Sequence, residues 1–262
     1  MLFLLLLLFS LCQSVRVVFI MLTGPKKRPE LTRTMRDLYK NFDNLPDNLT
    51  INAFYFGRGC KNCTHTELDI ALERINKDYP FVHPIEWNFT KEYDFENKEL
   101  VEEMYSSLER LHGDWNYKAY YKYRLVTDYF MEMITDALEK YADITDYFIT
   151  LEDDMIFASD FLKVLFDDIS HVTEDVCFYK ACTPSCLYKK GYYSTSQAPP
   201  WGIYGNFWRT DKFKEFIRYI KLVKINECYD TLTVWYCSGL NKRIFIDCKK
   251  ARHFGRDLNI PP

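Results

Sequence analysis

The chain has 262 residues, of which 48% are hydrophobic, 17% aromatic and 27% charged, with a formal net charge of −3. Such a composition supports a substantial apolar core and excludes a disordered or low-complexity chain. The slightly acidic balance argues against nucleic acid as a partner, since that function leaves a basic face.

The chain opens on an apolar run over 1–11, followed by Cys12-Gln13-Ser14. The run is shorter than the ~20 residues of a membrane span. It reads as the apolar part of a secretory signal over 1–14 without a basic start. A short signal anchor, with membrane association through the N-terminus, is the alternative. Three sequons, at Asn48, Asn62 and Asn88, fit a secretory route. Nine cysteines are present, and setting aside Cys12 leaves eight, an even number that fits disulfides in an oxidising lumen.

The β-rich stretch 15–23 ends at Gly24-Pro25 and reads as a first strand. The basic cluster Lys26-Lys27-Arg28 then leads into a helix over 30–39 with Leu31, Met35 and Leu38 on one face. A strand is expected over 49–56, ending at Gly57, and a helix over 67–77 with Leu68, Ala71, Leu72 and Ile75 facing inward. The Pro- and aromatic-rich stretch 81–95 reads as irregular. The longest helix is expected over 117–141, with Tyr121, Leu125, Tyr129, Met133 and Ala137 as its apolar line and Lys118, Lys122 and Arg124 in its opening turns.

A buried strand follows over 147–151, then a helix over 161–169 and a strand over 176–180. The stretch 183–200, rich in Gly, Pro, Ser and Tyr, reads as a lid-like loop. After the aromatic segment 201–208 come a helix over 210–223, a helix through Tyr236, a strand over 243–247 and His253-Phe254-Gly255. Alternating strands and helices predict an α/β domain over 15–262, with a largely parallel central sheet flanked by helices.

The most informative segment is Glu152-Asp153-Asp154, three carboxylates at the end of a buried strand. Like charges there repel and resist desolvation. They are tolerable at the open carboxyl edge of a parallel sheet, where such proteins bind ligands. A hard divalent cation such as Mn²⁺ or Mg²⁺ would stabilise them further. Alternation along an extended chain would point Glu152 and Asp154 one way and Asp153 the other. An acidic turn without a cation is the plainer alternative.

Four segments in order carry a resemblance: 148–155 (Phe-Ile-Thr-Leu-Glu-Asp-Asp-Met), Gly202-Ile203-Tyr204-Gly205, Cys228-Tyr229-Asp230, and Arg243-Ile244-Phe245 running to His253-Phe254-Gly255. Together they resemble the N-acetylglucosaminyltransferase IV family of GT-A glycosyltransferases, and a related group, the glycosylphosphatidylinositol side-chain N-acetylgalactosaminyltransferases. The resemblance implies a GT-A-like fold and a metal-dependent inverting transfer of a sugar from a UDP-sugar, UDP-GlcNAc first, to a glycan or glycolipid acceptor in the secretory lumen, in the Golgi or after secretion. It implies Asp154 and His253 as metal ligands, with Glu152 and Asp153 positioning donor or acceptor. It implies Asp230 as the general base that takes the acceptor proton. Lys122 and Arg124 match a basic pair in the family that would face the diphosphate. Lys27 and Arg28, with Lys26, follow the first strand where a nucleotide's phosphates approach a parallel sheet. Solvated surface charges are the plainer alternative for these cations.

Trp201, Tyr204 and Trp208 are candidates for stacking on a sugar ring, against a place in the core. Tyr192 and Tyr193 are candidates for acceptor contact. Two readings of a different class remain: a carbohydrate-binding protein of the same fold without turnover, and a phosphoesterase built on the acidic triplet. The latter would want a second compact set of metal ligands, which the sequence lacks.

Overall fold

The computed structural model describes residues 14–23, 30–58, 64–89, 117–169, 172–181, 189–197, 205–223, 229–248 and 251–253; at 117–126, 230, 252 and 253 it describes the backbone alone. Lys26, Lys27, Arg28, Trp201 and Tyr204 lie outside the described residues.

In chain order the elements are β1 (Val15–Leu22), α1 (Glu30–Phe42), β2 (Leu49–Gly57), α2 (Thr66–Asp78), a short 3₁₀ turn (Pro80–Val82) and β3 (Pro84–Trp87). There follow α3 (Tyr117–Tyr141), β4 (Tyr147–Glu152), β5 (Met155–Phe157), α4 (Phe161–Asp168), β6 (Val176–Lys180) and β7 (Gly191–Ser194). Last come β8 (Asn206–Arg209), α5 (Thr210–Val223), α6 (Tyr229–Gly239), β9 (Arg243–Ile246) and β10 (Ala251–His253).

Eight strands form one sheet in the order β3-β2-β1-β4-β8-β6-β9-β7, while β5 and β10 form a separate two-stranded ribbon. The β3, β2, β1 and β4 strands are parallel; β8 runs against β4 and β6, β9 runs with β6, and β7 runs against β9. Helices cover both faces. On one side Val17, Phe19 and Met21 pack with Leu31, Met35 and Leu38 of α1 and with α2 and α4. On the other, Val18 and Ile20 pack with Phe130, Met133 and Ile134 of α3 and with α5 and α6. A strand buried on both faces is apolar, which is why β1 is hydrophobic at every position but one. Arg16 interrupts that run at the amino end of β1, where its guanidinium makes two hydrogen bonds to the Asp146 carboxylate, at 3.0 and 3.2 Å.

Three expectations need correction. The stretch 81–95 is not wholly irregular: β3 adds a parallel edge strand beside β2. It begins with a proline, which cannot donate to a ladder and is tolerated at a strand's first residue on a sheet edge. The lid-like loop contains β7, paired with β9 from Gly191↔Ile246 to Ser194↔Arg243. In α3 the buried face is Phe130, Met133, Ile134 and Ala137, with Tyr129 only half-buried. The helix therefore turns further toward Phe130 and Ile134 than the expected line, because it packs on the strands and on α5 at once.

A disulfide joins Cys177 of β6 to Cys237 of α6, and both are buried. Among the described residues no helix is long and apolar enough to cross a membrane.

Candidate functional site

Strand order fixes where a ligand can bind. From β1 the chain winds outward to β2 and β3, then returns to place β4 on the other side of β1. The connections leave β1 and β4 in opposite directions, which opens a crevice at their carboxyl ends. The last paired residues there are Leu22 and Glu152. The acidic triplet thus begins in the crevice.

The triplet does not alternate as an extended chain would. Strand β4 ends at Glu152, and Asp153 and Asp154 form a tight turn into β5. Both aspartates are buried, with 4% and 8% exposure, while Glu152 is half-buried. Helix α1 holds this turn from below. The Thr34 hydroxyl lies 2.8 Å from both the Asp153 and the Met155 carbonyl oxygens. One helical turn on, the Asp37 carboxylate accepts the Phe157 amide at 3.4 Å. Asn41 then donates to the Ala158 carbonyl at 2.8 Å and accepts the Leu162 amide at 2.9 Å. Sequence reasoning missed these three residues; the available signal was a polar line at positions 34, 37 and 41, beside the apolar line at 31, 35, 38 and 42.

The ribbon brings the C-terminal segment to the same place. In it β10 runs antiparallel to β5 with His253 directly opposite Met155, the residue after Asp154. The backbones of the two expected metal ligands are therefore neighbours across a ladder. Among residues whose side chains are described, no three His, Cys, Asp or Glu groups converge as a metal site.

Behind Glu152 lies a row of buried polar side chains on one face of the sheet. Thr150 pairs with Asn206, and Asn206 with Lys180. All three are fully buried, and the Lys180 ammonium donates to Asn206 Oδ1 at 2.7 Å. Gly205 explains one part of the Gly202–Gly205 segment. Its φ of 65° is left-handed, a conformation that favours glycine. Its amide donates to the Thr150 carbonyl and its carbonyl accepts from the Ala181 amide, both at 2.7 Å, so it ties the ends of β4 and β6 together.

Helix α6 starts on this same face. Buried Tyr229 donates its amide to Thr127 Oγ1 at 2.9 Å and packs edge-on against Phe130 and Phe216. Asp230 follows in the first turn of α6. The basic pair of α3 sits beyond the sheet edge. Gly57 ends β2 against Met133, whose sulfur would lie 3.1 Å from a Cβ placed there. At 1.5 Å per residue, Arg124 and Lys122 stand roughly 14–17 Å further along the helix axis, on the carboxyl side of the sheet.

Further along the edge, Lys190, just before β7, is hydrogen-bonded to buried Asp168 and lies 3.5 Å from buried Asp247. Burial works against its charge, yet the bond to Asp168 and the two carboxylates outweigh it and raise the Lys190 pKa. Burial likewise raises the Tyr179 hydroxyl, helped by the charges of Asp247 and Asp168.

Trp208 belongs to the core: it is fully buried and stacked on Phe216 at 4.7 Å. Tyr192 is 39% exposed, packs against Phe245 and carries the Arg243 guanidinium over its ring at 4.8 Å. The Tyr193 hydroxyl donates to the Lys189 carbonyl. A cleft of about 440 Å³ lies at the opposite edge of the sheet, lined by Asp146, Arg209, Asp211 and Lys214 among others. Its charges are taken up in pairs, Arg209 with Asp211 and Lys214 with Asp143, so it offers a ligand little.

No family model and no curated protein sequence matches the chain. Solved structures do. Mouse xyloside xylosyltransferase 1 superposes with a TM-score of 0.51 at 10% identity, over 94% of this chain and 100% of that one. Residues 1–349 of S. aureus TarS in complex with UDP give 0.54 at 12% identity, over 90% of this chain and 59% of that one. The mannosyltransferase PcManGT of Pyrobaculum calidifontis, in complex with GDP-Man and Mn²⁺, gives 0.50 at 11% identity, over 88% and 55%. The match thus spans the whole of the solved mouse chain and a little over half of the other two solved chains. At these identities the likeness is one of fold: a mixed α/β domain with an eight-stranded sheet flanked by helices, the GT-A-like architecture of these glycosyltransferases.

Proposed function

We propose that the chain is a metal-dependent, inverting glycosyltransferase that moves a sugar, GlcNAc in the first instance, from a UDP-sugar to a glycan or glycolipid acceptor. The observation that carries this is the ladder pairing of His253 with Met155, which joins a late histidine to the buried acidic turn at the switch point of the sheet. Neighbours of the same fold were captured with UDP, with UDP-GlcNAc, and with GDP-Man and Mn²⁺.

The donor set fits a hard divalent cation. Two buried carboxylates in one turn are costly without a countercharge. Carboxylate oxygen with neutral imidazole suits Mn²⁺. Asp154 and His253 would hold the cation, with Asp153 beside them; bound there, it would neutralise charge on the departing diphosphate. Lys122, Arg124, Lys27 and Arg28 are assigned to the diphosphate from their places in the chain, and Glu152 to the sugar. Asp230 takes the proton from the acceptor hydroxyl as that oxygen bonds to the anomeric carbon and the bond from that carbon to the diphosphate oxygen breaks. The products are the new glycoside, UDP and a protonated Asp230. The secretory lumen is the proposed setting, supported by the Cys177–Cys237 disulfide and by the exposure of Asn48 and Asn88.

The test is calorimetry of UDP with and without Mn²⁺ on the parent and on Asp154→Ala. The parent should bind UDP more tightly with Mn²⁺, and the variant should lose that increment while its melting curve is retained. Equal UDP–Mn²⁺ affinity in the two proteins would overturn the assignment. UDP release on adding UDP-GlcNAc, UDP-GalNAc or UDP-xylose with acceptor glycans then identifies the donor.

A further inference from the structure

We propose that Thr34 is a positioning residue for the acidic turn: its hydroxyl fixes the backbone on both sides of Asp154 and so sets the affinity for a nucleotide diphosphate with its divalent cation. The proposal rests on the reading of that turn as the nucleotide site.

A threonine inside a helix ordinarily turns its hydroxyl to the carbonyl one turn back. Thr34 reaches across the molecule instead, to the carbonyls of Asp153 and Met155, 119 and 121 positions away and both at 2.8 Å. Those two carbonyls flank Asp154. A hydroxyl has a single proton to donate, so one atom serves both acceptors. Two carbonyl dipoles converging on one point repel each other unless a donor sits between them. Thr34 supplies that donor from a fully buried position, and its branched Cβ keeps the hydroxyl direction fixed.

The rest of the seam holds the chain beyond. Asp37 receives the amide of Phe157, and Asn41 grips Ala158 and Leu162. A cation such as Mg²⁺ or Mn²⁺ tolerates little error in the position of its oxygens. Groups that hold metal ligands in place from behind typically contribute 10- to 100-fold to metal affinity.

The experiment compares the parent, Thr34→Val and Thr34→Ser. Valine keeps the shape and removes the donor; serine keeps the donor. The first readout needs no metal: hydrogen exchange of the segment 151–158 should quicken in Thr34→Val and stay near the parent in Thr34→Ser. The second is the UDP affinity with Mn²⁺, which should fall at least tenfold in Thr34→Val, with UDP affinity in its absence unchanged, and recover in Thr34→Ser. A Thr34→Val protein that binds UDP–Mn²⁺ within twofold of the parent overturns the proposal. So does a tenfold loss in folded Thr34→Ser, which decides the matter even where Thr34→Val does not fold. A parent with no Mn²⁺-dependent UDP binding overturns the reading of the turn itself, and it does so before any variant is compared.

Discussion

The Cys177–Cys237 disulfide offers a perturbation whose size follows from the chain. It closes a loop with a sequence separation of 60. Cross-linking a loop of that length removes roughly 14 cal/mol/K from the unfolded chain, or about 4 kcal/mol at 25 °C. The half-cystines are 1% and 0% exposed, so alanine at both positions adds no buried polar atom. For a chain near this size, about 4 kcal/mol corresponds to a melting temperature lower by roughly 10 °C. The functional consequence is directional. The bond ties α6, which begins at Tyr229 and carries Asp230, to β6, whereas the acidic turn hangs from α1 on the other face. Cys177→Ala/Cys237→Ala should therefore lose kcat while holding most of its UDP–Mn²⁺ affinity. Differential scanning calorimetry, titration of UDP with Mn²⁺ and turnover on one preparation test both parts. A melting point within about 2 °C of the parent would refute the entropic reasoning. A loss of UDP affinity as large as the loss of turnover would refute the division of labour between the two faces.

Asp230→Asn is nearly isosteric and should lower kcat by ~10²–10⁴ with donor affinity little changed; turnover above about a tenth of the parent, a barrier change of at most ~1.4 kcal/mol, removes Asp230 as the base. His65 is buried at the start of α2, and its Nε2 has no hydrogen-bond partner among the described residues. Burial, against the opposing charge of Glu67, lowers its pKa below 6.5. Below pH 6.5 the unfolded chain therefore binds a proton that the folded one refuses, and stability falls as the pH drops. Urea midpoints at pH 7.5 and 5.5 should differ less in His65→Gln than in the parent, and equal differences would show that His65 does not contribute.

The elements that sequence alone placed well are those whose own residues carry the burial pattern. Strand β1 is apolar but for Arg16, β2 alternates at its start and is buried throughout from Ala53 to Gly57, α1 and α5 carry a clear stripe, and α3 and α5 begin and end where the composition changes. What failed was set by neighbours. Strand β3 is four residues with a proline at its start, and only pairing with β2 makes it a strand. Strand β7 exists because Gly191 to Ser194 lie along β9, and nothing in a Gly-Tyr-Tyr-Ser run announces that partner. The aspartates were expected to alternate because the chain was taken to stay extended through Asp154, whereas it turns at Asp153 and Asp154.

The candidate site divides the same way. Glu152, Asp153 and Asp154 were legible because three adjacent carboxylates after an apolar strand need a physical reason, and a cation at a sheet edge is one. The seam on α1 was not legible. A threonine, an aspartate and an asparagine on a helix are ordinary surface residues until their partners are known, and those partners lie some 120 positions downstream. The geometry of the acidic turn is thus written in two places: its charge in β4, its position in α1. A variant of α1 that leaves every carboxylate in place is therefore expected to shift the turn that carries them, which is why, on the proposal made for it, Thr34, a residue with no charge to offer a cation, should affect how well one is bound.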